Sequence, residues 1–357
     1  MSRPERAPPQ PSLELDYLGS AELAARSTGW WRNVLGVAPF GAPTQVDCAA
    51  GIPVAPVPLP VLGGAESAFE VWRLDEPLSS GTIGRVHYRR GSQALFGCIV
   101  SPEPNGAAGA NGAANALPEL TGAAYAEIFA ALGSLGYPHL LRVWNYFAAI
   151  NRETALGERY RQFNTARHDA FRRNQREVEG NVPAACALGS DPGSPLVIYF
   201  LAGRAPARAV ENPRQLSAYR YPREYGPHSP TFSRAAIGAL EVGAPLFVSG
   251  TASIVGHASV HAGDAAAQAR ESAANIAALV DAANEAAGTA VYSVEALKYK
   301  AYVRDIRDLA AIRAELDGGL RARAPITYLR ADICRSELLV EIEAVGSPRP
   351  DGAVEPA

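Results

Sequence analysis

The sequence predicts an α+β fold on three observations. Short apolar strands recur through both halves of the chain, and helical stretches are interspersed among them without one-for-one alternation. The closing third reads β-β-α-β-α-β, the order of a sheet with helices packed on one face. The 357 residues, 48% hydrophobic and 19% charged, are enough for two or three compact units with ample core.

Residues 1–12 and 346–357 are rich in Pro, Gly, Ala and charge and read as tails. FEVWRL, GRVHYRR and ALFGCIV, between residues 69 and 100, read as three strands with a Gly-Ser turn before the last. SPEPNGAAGANGAANALP (101–118) cannot bury a core and reads as a flexible loop. Thr121 is the expected cap of a helix running to Leu135, stopped by Gly136. HLLRVWNYFAAI (139–150) alternates as a strand, and the polar, aromatic segment up to Arg173 reads as a helix. PLVIYFLAG (195–203) is a buried strand, and RQLSAYRYP (214–222) a further strand ended by Pro222. The next stretch, through 235, is loop-like. ALEVGAPLFVSGTASI (239–254) is expected to form a hairpin turning at Gly243-Ala244. Asp264 and Gly288 bracket the longest helix. A strand near 290–304, a helix at 305–317 and the strand pair ITYLRADIC/ELLVEIEAV complete the series.

With 33 basic against 36 acidic side chains, net charge −3, bulk attraction to nucleic acid or an anionic membrane is excluded. No run of about 18 apolar residues predicts a membrane span, and the charged, proline-rich start lacks a signal peptide's apolar stretch, so a cytoplasmic protein is expected. Cys48, Cys98, Cys186 and Cys334 form no C-x-x-C pair, and the six histidines include no H-E-x-x-H motif. Walker A and G-x-G-x-x-G are both absent. The expectation is a protein with reduced thiols that works without metal, nucleotide or other cofactor.

Two sets of motifs carry a resemblance. LFVSG (246–250) and VEIEAV (340–345), set among helices, resemble a RidA/YjgF domain over roughly 231–345. RVWNY (142–146), GERYRQF (157–163), ENPRQLSAYRYP (211–222) and YGPHSPTFSRA (225–235), followed by SGTASIVGH and CRSELLVEIEA, resemble the chorismatases nearly from tail to tail. That resemblance implies an expanded fold of RidA-like α+β units, pseudo-trimeric within one chain. It divides the chain into an N-terminal unit at 13–230 and a C-terminal one at 231–345. It implies chorismate as the small-molecule substrate and pyruvate as one product. Three RidA-size units account for the length, so a monomer is expected, with an oligomer left open. The sequence departs from the family at His228, where Arg is expected.

The resemblance makes Glu341 the catalytic acid. By strand alternation alone Glu341 and Glu343 share a face opposite Val340 and Ile342, which a solvent-facing edge would satisfy equally. In a cleft, desolvation would keep the acid protonated near neutrality, and Glu343 reads as structural. Chorismate is a dianion, so cations must meet its carboxylates. Arg214 and Arg304 are the first candidates by the matching motifs, with Arg161 in reserve and Arg220 also weighed, although a lone Arg is more often a surface ion-pair partner. Tyr221 and then Tyr160 are expected substrate contacts, against ordinary core packing. Cys334 reads either as a small buried hydrophobe or as a wall of the cleft. Within the family, Cys334 together with Gly250 marks the branch that makes 3-hydroxybenzoate, and Gly250 would let an intermediate approach the backbone. A branch that also gives 4-hydroxybenzoate, a hydrolytic branch giving a dihydroxy diene, and a RidA-like ligand-binding protein without turnover all stay open.

Overall fold

A computed structural model describes residues 12–41, 51–64, 66–103, 116–240 and 243–348. Most of both expected tails, and residues 104–115 of the expected loop, lie outside that range. Three sheets organise the chain. β1 (Leu13–Gly19), two short helices α1 (Ser20–Ala24) and α2 (Thr28–Trp31), β2 (Val34–Gly41) and β3 (Ser67–Leu74) build the first, in the order β1-β3-β2.

β4 (Ser79–Ile83), β5 (Val86–Arg90) and β6 (Ala94–Ser101) lead into α3 (Ala116–Leu135) and β7 (His139–Ala148). A small ribbon of β8 (Glu153–Thr154) and β9 (Gly157–Glu158) precedes α4 (Arg159–Arg173), then come β10 (Ala184–Ser190) and β11 (Leu196–Gly203). The second sheet runs β10-β7-β11-β6-β5-β4, and Ile99, Val143, Phe147, Ile198 and Phe200 meet α3 and α4 on its outer face.

The third sheet takes in β12 (Arg208–Val210), β13 (Ala235–Ile237) and β14 (Leu246–Ala252). After a ribbon of β15 (Ile254–Val255) and β16 (Ala258–Ser259) come α5 (Ala265–Ala287), β17 (Lys298–Val303), α6 (Leu309–Leu320), β18 (Thr327–Arg330) and β19 (Val340–Gly346). Its order is β12-β13-β14-β19-β17-β18, with α5 and α6 buried on the outer face through Ile276, Leu279, Ile312 and Leu316. This sheet reaches back across residue 230 to include β12. The inner faces of all three sheets share one core, in which Trp72, Trp144, Tyr199, Phe247 and Tyr302 pack together. The α+β class is the one observed.

Several local expectations hold. Asp264 caps α5 by accepting from the Ala267 N–H at 2.9 Å, and Gly288 ends it in the left-handed region. Gly136 follows α3 at φ +74°. Others are corrected. Thr121 is no cap: α3 already includes Ala116, and Thr121 is buried within the helix. Residues 214–222 form no strand. Asn212 turns the backbone by accepting from the Arg214 N–H, and a single 3₁₀ turn at Ala218–Arg220 follows before Pro222. The first arm of the hairpin is β13, four residues before the expected start. β18 and β19 do not pair with each other: β17 lies between them, parallel to β18. β18 ends and β19 begins at the same end of the sheet, so residues 331–339 pass as a loop over the end of the intervening β17, where the Arg304 N–H reaches the Leu339 carbonyl. Cys334 sits in that loop and not in a hairpin with Glu341.

Candidate active site

The second and third sheets abut along β10 and β14, and a cavity of about 440 Å³ opens at the seam. Its floor comes from β10 (Ala185, Cys186), β14 (Gly250, Ala252) and Glu341 of β19, and α4 supplies one wall. The 221–234 segment and the 334–337 loop supply the others. Pairing of β14 with β19 shifts register between Val248 and Thr251. Within this irregularity Ser249 Oγ accepts from the Ala185 N–H at 2.9 Å and donates to the Ser233 carbonyl at 2.6 Å, fastening the two sheets together.

Glu341 is 4% exposed. A Cβ built on Gly250 would stand 1.9 Å from Glu341 Oε1 and 3.2 Å from Cys186 Cβ. The acid lies against the Gly250 backbone in space that a side chain would claim. Room expected for an intermediate is filled by the acid itself. Among the described residues no hydrogen bond reaches the Glu341 carboxyl. Burial, then the Glu343 carboxylate, raise its pKa, while Arg142 and Arg234 oppose them, and the balance lies at about 8. At neutral pH Glu341 is a protonated acid facing a cavity.

Around it stand guanidinium groups with donors to spare. Arg234 gives Nη2 to the Tyr221 hydroxyl at 2.6 Å and to the Leu216 carbonyl at 2.7 Å. Arg167 holds the Tyr125 hydroxyl at 2.7 Å and the Thr231 carbonyl. Arg335 lies 4.0 Å over the Tyr225 ring and 5.2 Å from that of Tyr221, with Nη1 on the His257 carbonyl and Ser259 Oγ. Arg234 Nε, Arg167 Nη2 and Arg335 Nη2 are buried and have no protein partner. All three residues line the cavity, so it offers three guanidinium groups to anionic oxygens.

Of the residues singled out from the sequence, Glu341, Cys334, Gly250, Tyr160, Tyr221 and Arg161 line this cavity. Arg161 is at the mouth, 3.3 Å from Glu158 and half exposed. Burial, with the Glu341 charge next, pushes the Cys334 thiol up to about 12, so it is a neutral thiol. Burial likewise holds the Tyr160 phenol well above its usual range. Arg214 and Arg304 are not brought to the cavity lining. Arg214 faces α5, bound to Glu271 at 2.6 Å and Asn275 at 2.8 Å. Arg304 makes five hydrogen bonds, to Asp332, Asn151 and the carbonyls of Ile333, Arg335 and Leu338, which leave its fork no donor for a ligand. It clamps the loop that carries Cys334 and Arg335. His228 stacks on His168 at 4.4 Å and does not line the cavity. Arg167, Arg234 and Arg335 are the cavity cations the sequence reading missed. Arg234 and Arg335 stand within quoted motifs, SPTFSRA and CRSELLVEIEA, but nothing local separates them from any other arginine.

Among the described residues no group of three side chains is arranged to hold a metal ion, and no helix is long and apolar enough to cross a membrane. A family model described as "Chorismatase FkbO/Hyg5-like, N-terminal" matches residues 70–202. A 3-hydroxybenzoate synthase of Streptomyces hygroscopicus is 36% identical over 324 residues, covering 88% of this chain and 92% of the relative. A chorismatase of Streptomyces rapamycinicus is 40% identical over 292 residues, covering 78% of this chain and 82% of the relative. A crystal structure of a chorismatase superposes with a TM-score of 0.83 at 30% identity, covering 94% of this chain and 98% of the other. With relatives of this identity matched over most of their length, the chain belongs to the chorismatase family.

Proposed function

We propose that this chain converts chorismate to 3-hydroxybenzoate and pyruvate, with Glu341 as the general acid. The observation that carries the proposal is a buried, protonated carboxyl in a cavity where three guanidinium groups each keep a buried, unpartnered N–H. An enolpyruvyl ether is cleaved when its terminal methylene takes a proton, and a neutral carboxyl with a pKa of about 8 is matched to that task at neutral pH. Protonation makes the methylene a methyl group and places positive charge on the ether carbon, which the newly formed Glu341 carboxylate stabilises across a short, dry gap. Arg167, Arg234 and Arg335 receive the two carboxylates of the substrate, and the Tyr221 and Tyr225 rings pack against its diene.

The two products together hold the atoms of chorismate and nothing else, so no water enters the net reaction. Pyruvate leaves with the bridging oxygen as the ring–oxygen bond breaks, and the neighbouring ring hydroxyl oxygen bonds to the vacated carbon, closing an epoxide and returning its proton to the Glu341 carboxylate. The epoxide then opens at its other carbon, and the hydrogen on the carbon that keeps the oxygen is lost as that oxygen takes up a proton, which leaves an aromatic ring with its hydroxyl at position 3. Gly250 and Cys334 support this branch over the hydrolytic one, since both match the hydroxybenzoate pattern. Incubation with pure chorismate and no added metal, followed by chromatography and a pyruvate assay, tests the proposal. One equivalent each of 3-hydroxybenzoate and pyruvate is expected. A dihydroxy diene as product would assign the hydrolytic branch, and no turnover would leave a ligand-binding protein.

A further inference from the structure

Behind Glu341, where the three sheets meet, lies a quartet of charges. Lys300 Nζ stands 2.5 Å from Glu70 of β3 and 2.8 Å from Glu343 of β19. Glu343 also accepts from Arg142 Nη2 at 2.6 Å and from Trp144 Nε1 at 2.9 Å, both on β7. Trp72 and Tyr199 donate to Glu70. All four charged side chains are at most 3% exposed. A buried ion cluster is a poor source of stability, because desolvation offsets most of the attraction and apolar residues of like volume serve as well. Arg142 makes the stability account worse, since Nε and Nη1 are buried without partners. The quartet therefore calls for a reason other than stability.

Its orientation supplies one. Glu341 and Glu343 lie two residues apart on the same face of β19. In the register with β17, Lys300 stands opposite Glu343, whereas Glu341 is opposite the Tyr302 phenol. The quartet is neutral as a whole, yet Glu341 meets the carboxylate of Glu343 with the ammonium set two pairs further along the sheet. The other titratable groups around Glu341 are Cys186 of β10, Tyr160 of α4, Cys334 of the 331–339 loop, Arg142 of β7 and Arg234 beside β13. Burial keeps both thiols and both phenols uncharged at neutrality. The charges acting on Glu341 reduce to Glu343 on one side and Arg142 with Arg234 on the other.

We propose that Glu343, fixed and kept ionised by Lys300, Arg142 and Trp144, is a positioning residue that holds the proton on Glu341. The proposal rests on the reading of Glu341 as proton donor. Burial works against ionisation of Glu343, but the Lys300 ammonium and the Arg142 guanidinium outweigh it and hold its carboxyl below the usual range. Glu343 so remains a permanent anion and never competes as a proton donor. Without it, the remaining cluster of Lys300, Glu70 and Arg142 would carry one uncompensated positive charge and Glu341 would ionise at lower pH.

The test follows the Glu341 proton directly. The C=O stretch of the protonated Glu341 carboxyl, assigned by its loss in Glu341→Gln, is titrated by difference infrared spectroscopy without substrate, and the kcat–pH profile is measured beside it. Glu343→Gln is expected to lower the Glu341 midpoint by at least one pH unit, while Glu343→Asp, which keeps the charge, stays within half a unit of the parent. Arg142→Met is expected to move the midpoint upward, and it decides the matter if Glu343→Gln does not fold. Midpoints that stay at the parental value in Glu343→Gln, or in Arg142→Met where that variant must decide, would show that the quartet only holds the sheets together. Midpoints that move as expected support the inference even where turnover does not follow them, and that second result would instead overturn Glu341 as the donor.

Discussion

Glu341→Gln is expected to abolish turnover and, at the same time, to stabilise the protein. The folded chain holds the Glu341 carboxyl at a pKa of about 8 against the 4.5 of a free glutamate side chain. Between those two values the native state keeps a proton that the unfolded chain has released, so stability falls as pH rises, and above the upper value the loss is complete. The penalty is about 1 kcal/mol at pH 5, about 3 kcal/mol at pH 7 and about 5 kcal/mol at pH 9. Gln is nearly isosteric and has no proton to lose, so the variant escapes the penalty at every pH. Urea unfolding of both proteins at the three pH values reads the difference as a gap in midpoint that widens toward alkaline pH. A constant gap, or a variant less stable than the parent at pH 9, would refute the placement of a protonated acid in a dry pocket.

Three further outcomes follow from the same geometry. Turnover of chorismate by the parent enzyme should fall as pH rises through about 8, the value at which Glu341 gives up its proton, and kcat measured from pH 6 to 10 checks this. Gly250→Ala puts a methyl group 1.9 Å from Glu341 Oε1 and must displace the carboxyl, so 3-hydroxybenzoate formation should drop on the order of 100-fold with the circular dichroism spectrum unchanged. Chromatography of that variant's products should show a rising share of the dihydroxy diene. Arg335→Ala should raise KM for chorismate by roughly tenfold or more, the scale of one lost charge-assisted hydrogen bond, whereas Arg214→Ala should lower thermal stability and leave KM unchanged.

The strands and long helices were legible because their signals are local. Apolar runs such as LVIYFLAG (196–203), and the Asp264 and Gly288 brackets of α5, act through backbone chemistry that a single segment contains. Residues 214–222 misled because alternating Leu, Ala and Tyr mimic a strand, while the Asn212 turn and the bond from the Leu216 N–H to the Gly256 carbonyl decide the path. Glu341 was legible only through its motif, since strand alternation serves a solvent-facing edge equally well. The arginines divided by a rule that no sequence states: whether a guanidinium's donors are already taken. Arg304 spends its fork on a loop and Arg214 on α5, while Arg234 and Arg335 each keep a buried N–H, and carbonyls more than ten residues away decide which is which.

The cavity at the seam draws Asn145 from β7, residues of α4, Cys186 from β10, the 221–254 region and the 334–341 stretch, nearly two hundred residues of chain. None of these segments holds a pocket until the second and third sheets dock, so the site belongs to the last, most non-local stage of folding. Refolding followed by turnover should lag refolding followed by helical signal, and catalytic activity becomes a stricter gauge of complete assembly than any spectroscopic measure of secondary structure.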